Sequence, residues 1–326
     1  MIRLAPAALL ALLVGCTPTP HWSLPLSSLD RAALSVYQAS AKETWVVGGA
    51  LGSGGGALAL EYDGDAWNRF DVGTDATLWW VTQAGLFRRY AVGERGTVIE
   101  LLSRATVPTP TTSTLYGVWG SEQGTLWVVG GEPDLSGVIL VGNGDGSWTD
   151  MTPPGATGAF FKVWGSSDSD VWICGQAGAL LHWDGQALTS VDTGLSRSVS
   201  LFTVAGRDRQ DIYAVGGPAQ AIALHYDGTS WSQLGDSVFA NLSGLNGVSV
   251  DSDGTAVMVG FGGTKLRGRP GAFVDETAFA THDDLHAVSV AGGEVFAVGG
   301  DYLSPAPTPR TGVVAHFGGD VSSTIK

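Results

Sequence analysis

The stretch that decides the fold is Val163-Trp164-Gly165-Ser166-Ser167-Asp168-Ser169-Asp170-Val171-Trp172-Ile173-Cys174-Gly175, followed seven residues later by His182-Trp183-Asp184-Gly185. Alternating apolar residues on either side of a Ser/Asp turn read as two paired strands. A third strand runs into His182-Trp183, and Asp184-Gly185 is a tight hairpin signal. The phrase returns as Leu224-His225-Tyr226-Asp227-Gly228-Thr229-Ser230-Trp231 and as Glu61-Tyr62-Asp63-Gly64-Asp65-Ala66-Trp67, where a Trp opens a fourth strand.

Outward from this unit, a Leu-x-x-Val pair recurs as Leu78/Val81, Leu115/Val118, Phe160/Val163, Leu201/Val204, Leu245/Val248 and Leu285/Val288, with Ala33/Val36 as a weaker first copy. Each is followed by a second strand that ends in Gly: Gly48, Gly93, Gly130, Gly175, Gly216, Gly260 and Gly299. The repeat Val lies 12 residues before that Gly in six copies and 11 in the last, and Gly48 to Gly299 is six steps of about 42 residues. This period matches four-stranded propeller blades. Seven units of four strands predict an all-β protein, a seven-bladed β-propeller, because one blade cannot cover both its faces and stacking around a ring does so.

Composition agrees. Of 326 residues, 48 are Gly and 15% are charged, yet 44% are hydrophobic and 12 are Trp. Gly has no three-residue period, so the chain is neither collagen-like nor a disordered low-complexity chain. The 17 Lys and Arg against 31 Asp and Glu give a formal charge of −14, which repels phosphate backbones and excludes nucleic acid as an expected partner.

The repeats resemble those of bacterial surface-lipoprotein propellers, with kelch-like Gly pairs at Gly48-Gly49, Gly130-Gly131, Gly216-Gly217 and Gly299-Gly300 but a shorter period. Ser121-Glu122-Gln123-Gly124-Thr125-Leu126-Trp127 is similar to the Asp-box (BNR) turn of sialidase-type propellers, with Glu122 in place of the Asp. The N-terminus, Met1-Ile2-Arg3 and then an apolar run from Leu4 to Val14, is too short to span a bilayer and reads as a secretory signal. It ends in Leu13-Val14-Gly15-Cys16, which resembles the lipobox of bacterial lipoproteins. That resemblance implies a signal peptide over 1–15, a diacylglyceryl anchor on Cys16, export, and outer-membrane sorting because Thr17 rather than Asp follows. Residues 16–30 then form a tether and a candidate closing strand, and 31–326 the propeller. The fourth strand of the last blade comes either from His21-Trp22-Ser23-Leu24, which echoes Trp231-Ser232, or from Val321 to Ile325; the echo favours the N-terminal segment.

In a propeller the turns joining strands 1 to 2 and 3 to 4 lie on one face, and the strand 2–3 loops and blade-to-blade connections on the other. The first face has constant spacing and carries most of the Asp residues. The second varies in length, and variable loops on a rigid ring are where recognition sits. The expected binding loops are Leu51 to Gly55, Glu132 to Leu135, Thr264 to Arg269 and Tyr302 to Arg310. Lys265, Arg267 and Arg269 form the one cationic cluster, and Tyr302 and Arg310 are further candidates. Trp79, Trp80 and Phe161 are the candidate channel-lining aromatics; the repeated Trp172 positions read as core.

No catalytic residue is assigned. The inner strands carry no carboxylate pair for glycoside hydrolysis, their ionisable residues being Lys162 and His286, and no Gly-x-Ser-x-Gly elbow occurs. His182, His225 and His316 share one repeat position, so they stand apart around the ring; no metal or cofactor is expected. Cys174 reads as a small buried hydrophobe. The expected function is a lipid-anchored, non-catalytic, monomeric propeller that binds a protein or glycan, with a sialidase-like glycoside hydrolase and an envelope scaffold factor as the alternatives.

Overall fold

The computed structural model describes residues 19–52, 55–305 and 309–326. The signal segment, Cys16 and parts of two expected loops (Ser53, Gly54 and 306–308) lie outside the described residues. The chain folds into seven four-stranded antiparallel sheets arranged as the blades of a β-propeller. The innermost strands, in blade order, are Ala32–Ser40, Leu78–Ala84, Leu115–Gly120, Phe160–Ser167, Leu201–Asp208, Leu245–Val250 and Leu285–Ala291. Among the described residues no helix is long and apolar enough to cross a membrane.

In blade 4, Val163 pairs with Ile173 and Trp164 with Trp172 across the first hairpin; Trp172 then faces His182, and Trp183 faces Leu188 in the outer strand. Alternation sends Trp172, Cys174 and Leu180 to one face of the sheet, where they meet Leu201, Val204, Ile212 and Leu224 of blade 5. The opposite face supplies Val163, Ile173 and Leu181 to a cluster with Trp127, Val129 and Ile139 of blade 3. The core is thus distributed between blades, and the repeated Trp172, Trp127 and Trp45 are buried in it. Cys174 is fully buried there, and burial pushes its thiol up to about 12.

The third-strand histidines are tied within their own blades. His182 Nε2 meets Asp170 at 2.7 Å, His225 meets Asp211 at 2.9 Å, and His316 meets Glu294 at 2.7 Å. Each carboxylate opens the second strand of the same blade, and the His182 ring stacks on Trp172 at 4.0 Å. The bond to His182 leads those that hold the Asp170 carboxyl below its usual value against the opposing pull of burial.

Both chain ends fasten the ring. His21–Leu29 forms the outer strand of blade 7, pairing with Gly312–Gly318, and Trp22 stands opposite Phe317 as Trp231 stands opposite Tyr226. The ring therefore begins at His21 rather than at residue 31. Val321 to Ile325 does not compete for that place; it crosses to blade 1, where Trp67 N–H donates to Thr324 O at 2.9 Å and Lys326 N–H to Trp67 O at 2.8 Å.

Glycine takes two roles. Gly64, Gly185 and Gly228 of the Asp-Gly turns have φ near +90°, which only Gly adopts freely. Gly93, Gly175 and Gly260, which close second strands, are fully extended. Their requirement is close approach: a Cβ at Gly48 would overlap the carbonyl oxygen of Ala32, and one at Gly299 that of Asp284, just ahead of the inner strand.

Candidate functional site

The inner strands surround a central channel, and their geometry there follows one rule. The residue after the repeat Leu or its equivalent turns toward the loop-face end of the channel, giving Trp79, Tyr116, Phe161, Phe202, Asn246 and His286 around a cavity of about 220 Å³. The rings meet edge to face or tilted: Trp79 to Tyr116 at 5.2 Å, Tyr116 to Phe161 at 5.6 Å, Phe161 to Phe202 at 5.8 Å, and Trp79 to His286 at 5.8 Å. Such contacts satisfy the quadrupoles of neighbouring rings and hold the collar rigid. Phe261 from the strand 2–3 turn of blade 6, and Tyr302 and Leu303 from the corresponding loop of blade 7, complete the wall. Tyr302 packs edge-on to His286 at 5.2 Å, and its hydroxyl oxygen accepts from Asn246 Nδ2 at 2.7 Å.

The next position along each inner strand forms the waist of the channel. Here the strands crowd the axis, so the residues are small: Ser35, Gly117, Thr203, Gly247 and Ala287. A Cβ at Gly117 would come within 2.9 Å of Lys162 Cα. The two large residues at this level are Trp80 and Lys162. The Lys162 side chain reaches from blade 4 past blade 3 toward blade 2, donates to Tyr116 O at 2.9 Å, and holds its ammonium 4.3 Å from the Trp80 ring centre. Lys162 is only 4% exposed. Among the described residues no carboxylate pairs with it, and burial pushes its pKa down to about 7. Burial, then the nearby Lys162, brings His286 down to about 3 despite its contact with Leu34 O, so the imidazole is neutral.

Beyond the waist the channel widens toward the turn face into a cavity of about 410 Å³ lined by Tyr37, Gln83, Trp119, Glu122, Trp164 and Ser289 among others. Trp80 and Lys162 thus separate a polar funnel from an aromatic collar.

The sequence-predicted residues fall in three places. Trp79 and Phe161 stand in the collar with Tyr302, and Trp80 in the waist. Lys265, Arg267 and Arg269 do not form a patch on the loop face. The turn Phe261–Gly263, equivalent to Glu94–Gly96 and Gln176–Gly178, closes the connection early, so Lys265–Gly268 is the third strand of blade 6. Lys265 is fully buried, donating to Gly263 O at 2.6 Å and Thr281 O at 3.1 Å; burial lowers its pKa to about 8 against the opposing pull of Asp275 and Glu276. Arg267 pairs with Glu276 and covers the Phe317 ring, while Arg269 bonds Asp253 on the turn face. Arg310 is buried 3.6 Å from Asp301.

Reading from sequence missed Tyr116, Phe202 and Asn246. The signal was present: all follow the repeat Leu by one position. Arg207 and Asp208 also belong to an inner strand, at its rim, where they pair with each other. Among the described residues no group of three or more His, Cys, Asp or Glu is placed to hold a metal ion.

No known family model matches the sequence, and no curated protein matches it. Solved structures with the same fold include a streptogramin B lyase, 13% identical over 90% of this chain and 97% of that one, with a TM-score of 0.71. YCF48 bound to a D1 peptide is 12% identical over 92% and 97%, with a TM-score of 0.65. The WD40 propeller domain of Doa1 is 12% identical over 93% and 99%, with a TM-score of 0.64. At such identities the likeness shows the seven-bladed fold and nothing of the chemistry.

Proposed function

We propose that this chain is a lipid-anchored, non-catalytic extracytoplasmic propeller that binds a protein or glycan through its loop face. The observation that carries the reading is the aromatic collar, where side chains from two strand 2–3 loops close over rings presented by the inner strands. A rigid concave aromatic site reached through loops is built for recognition. The similarly folded YCF48 is bound to a D1 peptide, which supports reading this propeller as a binding module. The contents of the collar give no support to glycoside hydrolysis, since none of its ten lining residues is a carboxylate.

Anchorage fits this arrangement. His21 leaves blade 7 beside Gly318, on the turn face, opposite the collar. The five residues from Cys16 to Pro20 reach at most about 17 Å. A lipid on Cys16 therefore keeps the turn face toward the membrane and the collar away from it. The alternative role as an assembly scaffold draws on Leu86 and Phe87, each 75% exposed at a turn-face hairpin tip.

The test uses the full chain and isolated envelope fractions. Cys16→Ser is expected to abolish incorporation of a labelled fatty acid. Phe161→Ala and Tyr302→Ala are expected to reduce binding of the soluble propeller to the fractions at least tenfold, while Leu86→Ser/Phe87→Ser leaves it unchanged. Loss confined to the Leu86/Phe87 variant would establish the scaffold reading instead, and reproducible glycoside turnover would replace both.

A further inference from the structure

We propose that the collar accommodates an aromatic ring bearing a short monoanionic group, with its acid directed to the Lys162 ammonium on the cavity floor. The inference rests on the loop face being the binding face and names the chemistry that face selects.

Size comes first. A dry apolar cavity of about 150 Å³ takes benzene; the collar, at about 220 Å³, takes one ring with a few further heavy atoms. Its walls are Trp79, Tyr116, Phe161 and Phe202, which favour a flat apolar body over a sugar bristling with hydroxyls.

Polarity decides the rest. The collar has a surplus of donors. Lys162 has three N–H bonds, of which Tyr116 O accepts one, and its ammonium also lies over the face of Trp80. Trp79 Nε1 is buried with no partner among the described residues. Tyr302 accepts from Asn246, which leaves its own proton to offer. A buried cation without a counter-ion is expensive, and an incoming anion removes that expense. A dianion such as phosphate would exceed the single charge available. The other titratable groups around Lys162 do not compete for the acid: His286 is neutral, Cys174 is held as a thiol, and burial raises the Tyr116 phenol above its ordinary value.

The probes are phenylacetate and its uncharged analogue phenylacetamide, titrated calorimetrically into the folded chain. At pH 6 the acid is expected to bind at least about tenfold more tightly than the amide, as a charge-assisted bond in a desolvated site provides. Between pH 6 and pH 9 that preference declines as the free Lys162 amine loses its proton, and at pH 8 binding of the acid takes up protons from the buffer. Lys162→Met, with Lys162→Gln as a second variant and melting curves to confirm folding, is expected to abolish the preference while amide affinity changes less than about threefold. Equal affinities for acid and amide in the unaltered chain, a preference that survives both substitutions, or no binding of either probe at millimolar concentration would each overturn the proposal. The envelope-binding assay with Tyr302→Ala reports separately on the loop face, so loss of this proposal and loss of that reading are told apart.

Discussion

A methyl group at Gly48 or Gly299 has nowhere to go, because a backbone carbonyl oxygen already occupies the place. Gly48→Ala is expected to destabilise the ring by more than about 3 kcal/mol, since backbone rather than a flexible side chain must move. Gly194→Ala, at φ +68° with open space around it, should cost only about 1 kcal/mol. Chemical denaturation of the two variants checks the contrast. The sequence showed that each second strand ends in Gly but not why, because a clash between strands 15 or so residues apart leaves no local mark. The turn aspartates are more transparent. Asp63 accepts from the N–H groups of Ala66 and Asp65 and from the Asn68 side chain, which together lower it to about 2; Asp184 and Asp227 are lowered by the same kind of backbone bonds. A carboxyl held lower in the folded chain stabilises fully above its unfolded pKa near 4, and that stabilisation fades as pH falls toward 2. Replacing all three by Asn keeps an acceptor and removes the titration, so the decline of melting temperature between pH 5 and pH 2.5 is expected to become shallower.

At the scale of strands, period and alternation made most of the blades legible. Blade 6 was misread where the phrase His-Trp-Asp-Gly is missing, and a third strand was taken for a binding loop. The cations along Lys265–Gly268 looked like a surface patch because a strand that buries a Lys against carbonyl oxygens and an Arg against Glu276 breaks the usual link between charge and exposure. Ring closure was readable only through the Trp22-Ser23 echo, and the role of the C-terminal residues was not, since a single bridge to a distant strand has no periodic signature. That bridge has a measurable consequence. Trp67 is fully buried, its indole N–H donates to Ser322 O at 2.9 Å, and two further backbone bonds involving Trp67 and one at Arg69 fix the tail. Removing residues 321–326 is expected to destabilise the protein by about 1 to 3 kcal/mol, from lost hydrogen bonds and exposure of Trp67. Calorimetric melting would detect it, and an unchanged melting temperature would show the tail to be ornamental.

Across the whole molecule, the candidate site is a property of the ring rather than of any blade. Six of the seven inner strands contribute a residue to the collar and all seven one to the waist, and a linear reading picked out the aromatic pair Trp79 and Trp80 without showing that they serve on different levels. Lys162 was visible as an isolated charge on an inner strand; its contact with Tyr116 O and Trp80 of the two preceding blades was not, and Gly117 lets the blade 3 and blade 4 backbones approach closely at that level. The closing strand adds a mechanical consequence. It enters at His21 on one face and leaves at Leu29 on the other, antiparallel to Gly312–Gly318. A force applied between residue 19 and the loops around the collar runs lengthwise along this strand, so its cross-strand bonds bear the load together in shear instead of peeling one after another. Pulling between residue 19 and the collar loops by force spectroscopy is expected to give a single high rupture force, whereas pulling between residue 19 and the tip at Phe87, on the same face, opens blade 7 in small steps. The ring is thus fastened most firmly along the line that joins its N-terminal entry on the turn face to the loop face.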